Sequence, residues 1–192
     1  MTSHHSTDRK PAAGIAQSAF GVLDECHRQT LAALAKLETI VARLETGAAD
    51  GETRALAGDV VRHFSTTARQ HHEDEERHVF PKLATSGDKA IVQAVLRLQE
   101  DHHWLEEDWM SLEPHVDAVA CGLSWYDVAL LREGSEIFAA LSRDHIALEE
   151  ACLYPEARAR LQPGEQQEMG REMAARRRAA RRAAGDRSAP RS

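Results

Sequence analysis

His71-His72-Glu73-Asp74-Glu75-Glu76-Arg77-His78-Val79-Phe80-Pro81 returns 74 residues later as His145-Ile146-Ala147-Leu148-Glu149-Glu150-Ala151-Cys152-Leu153-Tyr154-Pro155. The shared frame is a histidine, a glutamate pair beginning four residues on, an aliphatic residue, an aromatic ring and a proline. Residues four apart lie one turn apart on the same face of a helix, so each copy presents an imidazole and a carboxylate together. A looser echo pairs Leu23 and His27 with Leu98 and His102, at an offset of 75. The chain therefore reads as two helical hairpins. Each carries a lone histidine on its first helix and a His-x-x-x-Glu on its second, separated by 44 and 43 residues.

Outward from these motifs the whole chain carries helical periodicity. Apolar residues recur at that spacing from Ile15 to Leu44, and Gly47-Ala48-Ala49-Asp50-Gly51 breaks the run. A second helix is predicted from about Thr53 to Leu83, and a third from about Asp88 to Val119, with Pro114 expected to bend or interrupt it. Ser124 followed by Asp127 reads as a capping start for a fourth helix reaching about Leu161, closed by Pro163-Gly164. A shorter stretch, Glu165 to Ala184, follows. With no strand-period segment, the expected class is all-α: an antiparallel up-down four-helix bundle with a short C-terminal helical extension. The expected division is a leader over 1–13, the bundle over 14–162 and a basic tail over 163–192.

Composition narrows the function. The 192 residues suit one domain with a sizeable core. No apolar run approaches the ~18 residues of a membrane span, and the polar N-terminus has no signal-peptide core, so a cytoplasmic protein is expected. Three cysteines, Cys26, Cys121 and Cys152, have no paired spacing and read as reduced thiols, mostly small buried residues. The formal charge is −7, yet from Arg171 onward eight arginines meet only Glu172 and Asp186. An acidic body argues against nucleic acid as main partner. The arginine-rich end is read as a solvated helix that folds back on that body, with any protein partner unknown.

Five of the eleven histidines, His71, His72, His102, His103 and His145, are followed four residues later by Glu. Doublets dilute that pattern, because one helix face takes only one member of each. Aligning the two copies on their prolines selects His71 with Glu75 and His145 with Glu149, and aligning on the leucines selects His102. His72 and His103 are then expected to point away from the common point, with a place behind the ligands left open for either. His63, eight residues before His71, reads as a half-buried, hydrogen-bonded histidine; His78 and His115 read as surface residues. Trp104, Trp109 and Trp125 read as packing. Several carboxylates buried together repel unless cations sit among them. Imidazole with carboxylate suits iron, manganese or zinc, and no thiolate cluster suggests structural zinc.

The ordered pattern His, His-x-x-x-Glu, His, His-x-x-x-Glu, supplied by His27, His71 with Glu75, His102, and His145 with Glu149, resembles the hemerythrin-like family, or HHE cation-binding domain. The resemblance covers roughly Ile15 to Leu161 and includes the Pro81 and Pro155 tails. It implies a four-helix bundle holding two iron ions in an oxo- or hydroxo-bridged centre, with zinc or manganese as possible substitutes. Glu75 and Glu149 would bridge, His27 and His71 would serve one iron, and His102 and His145 the other. It also implies a small diatomic ligand or peroxide as partner, for sensing, iron handling or detoxification. Turnover of peroxide or nitric oxide, or repair of iron centres, is the alternative. Oxygen-carrying members have a histidine where Glu106 stands, and an Asp, at a different spacing, in place of Glu149. Glu106 is accordingly expected as a carboxylate ligand or a group just behind the ligands. So anionic a set favours ferric iron over reversible oxygen carriage. Ferritin-like bundles use Glu-x-x-His on two helices, which is a different order and spacing.

Overall fold

The computed structural model describes residues 18–187, and the expected leader over 1–13 lies outside them. Among the described residues every regular element is helical. The first long rod is α1 (Ala19–Glu45). The second is built of α2 (Gly51–Arg62), a π-helical segment (His63–Ala68), α3 (Arg69–His78) and α4 (Phe80–Ala84). The third is α5 (Lys89–Ala120). The fourth joins α6 (Val128–Leu148), a second π-helical segment (Glu149–Leu153) and α7 (Tyr154–Arg160). A further helix, α8 (Pro163–Arg187), follows.

Local chemistry sets the ends. Ser18, Asp50, Asp88 and Asp127 each accept a backbone N–H from the first turn of α1, α2, α5 and α6, satisfying donors that lack a partner within the helix. For α6 this shifts the expected start from Ser124 to Asp127, whose carboxylate caps Ala129 and Leu130 and whose own N–H donates to His115. α5 is closed just past its end by Gly122, where φ is +71° and the N–H groups of Gly122 and Leu123 bond back to Val119 and Ala118. Glycine enters that left-handed conformation without a Cβ penalty. Pro114 does not interrupt α5, which is 32 residues long in all.

α1 packs on α2 and α6, and α5 packs on the same two, so the four rods close a ring. Its interior has three layers. One apolar cluster takes Leu34, Leu37 and Ile40 of α1, Phe64 of the second rod, Trp109 and Leu112 of α5 and Phe138 of α6. A second takes Phe20 and Leu23, Phe80 and Leu83, Val95 and Leu98, Leu153 and Tyr154. Between them, in all four rods, the inward residues are polar: His27, His71 with Glu75, His102, and His145 with Glu149, all buried. Large apolar clusters on either side supply the burial free energy that carries this layer.

α8 begins at Pro163 and runs past the expected Ala184, and it folds onto the bundle as the charge pattern suggested. Met169 and Met173 enter the second apolar cluster, on the order of 2 kcal/mol of burial each. Beyond them Arg176 and Arg177 both bind the buried carboxylate of Asp74, the latter at 2.5 Å. His78, expected on the surface, reaches Glu172 of α8 at 2.7 Å. No helix among the described residues is long and apolar enough to cross a membrane.

Candidate metal centre

Each polar group of the middle layer sits where a core residue would otherwise stand. His27 shares a face of α1 with Leu23 and Leu34; His102 lies between Leu98 and Leu105 on α5. His71 with Glu75, and His145 with Glu149, occupy successive turns. Glu149 turns one oxygen to each side: Oε2 lies 3.0 Å from His27 Nε2, and Oε1 lies 3.2 Å from His145 Nε2. Glu75 Oε2 lies 3.5 Å from both His71 Nε2 and His102 Nε2, while its Oε1 accepts the Tyr154 hydroxyl.

Two donor groups result, His27–His71–Glu75–Glu149 and Glu75–His102–His145–Glu149, each with its atoms within 4.8 Å of one another. Glu75 and Glu149 belong to both. Behind the imidazoles stand further carboxylates. His27 Nδ1 is 3.0 Å from Glu150, His102 Nδ1 is 2.9 Å from Glu76, and His145 Nδ1 is 3.7 Å from Asp101. The contacts to Glu150 and Glu76 set the tautomers of His27 and His102 and turn their Nε2 atoms toward the centre. Glu76 and Glu150 are the second members of the two repeated glutamate pairs, and each serves the lone histidine of the other hairpin. Sequence reasoning missed them, although the doublets Glu75-Glu76 and Glu149-Glu150 carried the signal.

Electrostatics shows what the layer is built to hold. Burial, then the charge of Glu149, pushes the Glu75 carboxyl up to about 7. Burial also acts on Glu149, but the charge of His145 and the closeness of the His145 and His27 rings outweigh it and hold that carboxyl well below its usual range. His145 is the converse: burial disfavours its charge, while Glu149 and Asp101 raise it to about 10. His71 is held well below its ordinary value by burial. Protons alone thus leave one carboxyl partly neutral. Both nitrogens of His71 and His145, His102 Nε2, Glu75 Oε2 and both oxygens of Glu149 are buried without a well-formed hydrogen bond. Each such orphan costs about 1–3 kcal/mol. Cations sharing these lone pairs remove that cost and ionise Glu75 as well, so the donor set fits bound metal cations.

Other expected residues fall elsewhere. Glu106 does not join the layer; its side chain is 40% exposed and is held by Arg69 at 2.5 Å. His72 does not point away. Its ring stacks on His102, centroids 4.0 Å apart, and with His102 and His145 it forms a third group of close donors. His103 does lie outside, paired with Glu107 at 3.1 Å. Trp109 is core, whereas Trp104 and Trp125 are exposed rather than packed. Burial and the neighbouring Glu75 raise the Cys26 thiol to about 12, so it stays protonated. Beside the layer, a cavity of about 30 Å³ is lined by His71, His72, His145, Trp109 and Phe138, and on its rim by the partly exposed Arg69 and Glu106.

His63 is half-buried, 2.9 Å from the Thr30 hydroxyl, and burial, with Lys36 nearby, lowers its imidazole to about 4. A folded value below the unfolded 6.5 means that the unfolded chain takes up the proton first. The stability this group contributes is therefore whole above that pH and lost as pH falls toward the folded value. His63→Gln is expected to flatten the fall in thermal midpoint over the upper part of that window. A midpoint falling as steeply as in the wild type would show that His63 does not carry the dependence.

A buried layer of imidazoles and carboxylates, shared between two donor groups in a helical bundle, defines a cation-binding helical protein. The match confirms the class: the hemerythrin HHE cation binding domain model covers residues 18–157, and the chain belongs to that family. A protein of Haemophilus influenzae, described only as uncharacterized, is 31% identical over 130 residues, which is 66% of this chain and 73% of that one.

Proposed function

We propose that the middle layer holds two iron ions, one served by His27 and His71 and the other by His102 and His145, with Glu75 and Glu149 reaching both. The observation that carries this reading is that the two donor groups share both glutamates, as a bridged pair requires. Two divalent ions offset the carboxylates that burial otherwise leaves in conflict, and nitrogen with oxygen donors suits iron, with manganese or zinc as substitutes. An antiparallel up-down order of the rods is supported by the layers. The Trp109 cluster takes the C-terminal halves of α1 and α5 but the N-terminal halves of the second and fourth rods.

The cavity beside the layer has room for a diatomic molecule or peroxide. Its walls are largely apolar, with His71, His72 and His145 on the metal side, so a small ligand would be shielded from water next to the ions. When bound, iron would supply affinity for such a ligand and a change of oxidation state; the chain's residues would orient the ligand and exclude solvent. We therefore read the protein as a binder of oxygen, nitric oxide or peroxide, for sensing, iron handling or detoxification, in the cytoplasm. The full chain loaded anaerobically with ferrous iron should retain close to two ions and, on oxidation, show near-ultraviolet bands of a bridged ferric pair. One ion or none would overturn the reading. Sustained consumption of peroxide or nitric oxide would move it to an enzyme.

A further inference from the structure

The two halves of the bundle differ at a pair of equivalent positions beside the centre. Phe80 and Tyr154 occupy the same place in the 74-residue repeat. Each ring covers the lone histidine of the other hairpin: Phe80 stacks on His102 at 5.3 Å, and Tyr154 stacks on His27 at 5.2 Å. As packing they are interchangeable. The phenol oxygen is not, because it donates to Glu75 Oε1 and lies 3.2 Å from His27 Nε2. By the symmetry of the repeat, the partner of Phe80 would be Glu149, and phenylalanine has no hydrogen to give.

The two carboxylates are consequently presented in different ways. Glu149 directs one oxygen at His27 and the other at His145. Glu75 has Oε1 occupied by Tyr154 and offers Oε2 alone, equidistant at 3.5 Å from His71 and His102. We propose that Tyr154 is a positioning residue: by holding Oε1 it would favour Oε2 as the oxygen Glu75 offers to both ions, whereas Glu149 would offer both of its own. Tyr154 is fully buried against Phe20 and His27, so the hydroxyl is held in register with the carboxylate. This rests on the two-metal reading above. A one-oxygen bridge draws two ions closer together than a two-oxygen bridge, so the phenol would set their separation and make the two sides of the centre unequal.

The test is Tyr154→Phe in the full chain, a substitution the fold already accepts at Phe80. Metal content and X-ray absorption at the iron edge are compared with the wild type. Both proteins should bind two ions, with a longer metal–metal distance in the variant, because Glu75 is freed to use both oxygens. The exchanged protein, Phe80→Tyr with Tyr154→Phe, should restore the short distance by restraining Glu149 instead. An unchanged distance with two ions bound overturns the inference and leaves the two-metal reading standing. Loss of one ion in Tyr154→Phe would make the phenol a ligand and also overturns it. A wild-type content below two overturns the reading beneath it.

Discussion

Glu149→Gln is expected to abolish both metal sites together, taking the content from near two ions per chain to well below one. Glu149 belongs to both donor groups, and each of its oxygens faces a different histidine, His27 on one side and His145 on the other. A neutral amide keeps the shape but gives up the charge and one of the two acceptor oxygens. His27→Ala is the contrasting variant. His27 belongs to one of the two carboxylate-sharing groups, so about one ion should remain. Thermal unfolding provides an independent readout. A ligand present at about a thousand times its dissociation constant stabilises by about 4 kcal/mol, roughly 10 °C for a domain of this size. The wild type should show a difference of that order between metal-loaded and chelated samples, and Glu149→Gln almost none. A variant that still carries two ions would show that the shared carboxylate is not what joins the sites.

The second large effect is expected at Asp74, which neighbours Glu75 in sequence but points away from the metal layer. Its side chain is 1% exposed, and both oxygens are taken by α8, through Arg176 and Arg177. Arg176 also reaches Glu73 at 2.9 Å and Glu172 at 2.7 Å. Removing one partner of a buried ion pair costs about 3–5 kcal/mol because the other is left uncompensated. The two arginines here keep about a fifth of their surface in solvent, so the lower end applies. Asp74→Ala should therefore lower the thermal midpoint by roughly 6–12 °C, at about 3 kcal/mol. Arg176→Ala or Arg177→Ala alone should cost less, since one guanidinium stays on the carboxylate. Combining all three should cost less than their sum, as coupled partners require. Metal content should not change, because Asp74 is outside both donor groups. A shift of less than a degree would mean that the Asp74 pairing does not hold α8 to the bundle.

Two neighbours of the centre, Glu106 and His72, sit elsewhere than the favoured expectation for one reason. Each lies a turn or less from a donor, at an angle where a small rotation of the helix decides between interior and rim. The packing of α5 against the second rod puts Arg69 opposite Glu106, and that charge holds the carboxylate outside. The same packing brings His72 onto the ring of His102. The π-helical segments at His63–Ala68 and Glu149–Leu153 were likewise unreadable, since the extra residue in such a turn leaves no mark on a hydrophobic pattern. Tyr154 was visible only as the aromatic member of a repeat. Its hydroxyl acquires a role from a carboxylate 79 positions away.

Along the chain, spacing alone was enough for the helical class, the repeated His-x-x-x-Glu and the six donors that meet in the polar layer, because the 3.6-residue period links neighbours by purely local geometry. Which atoms face one another across the rods is a matter of through-space distance. The sharing of Glu75 and Glu149, the crossing of Glu76 and Glu150 to the opposite hairpin, the exclusion of Glu106 and the clamp on Asp74 all arise where separate helices meet. No local periodicity encodes such meetings; they follow from how side chains on different rods fill one closed interior.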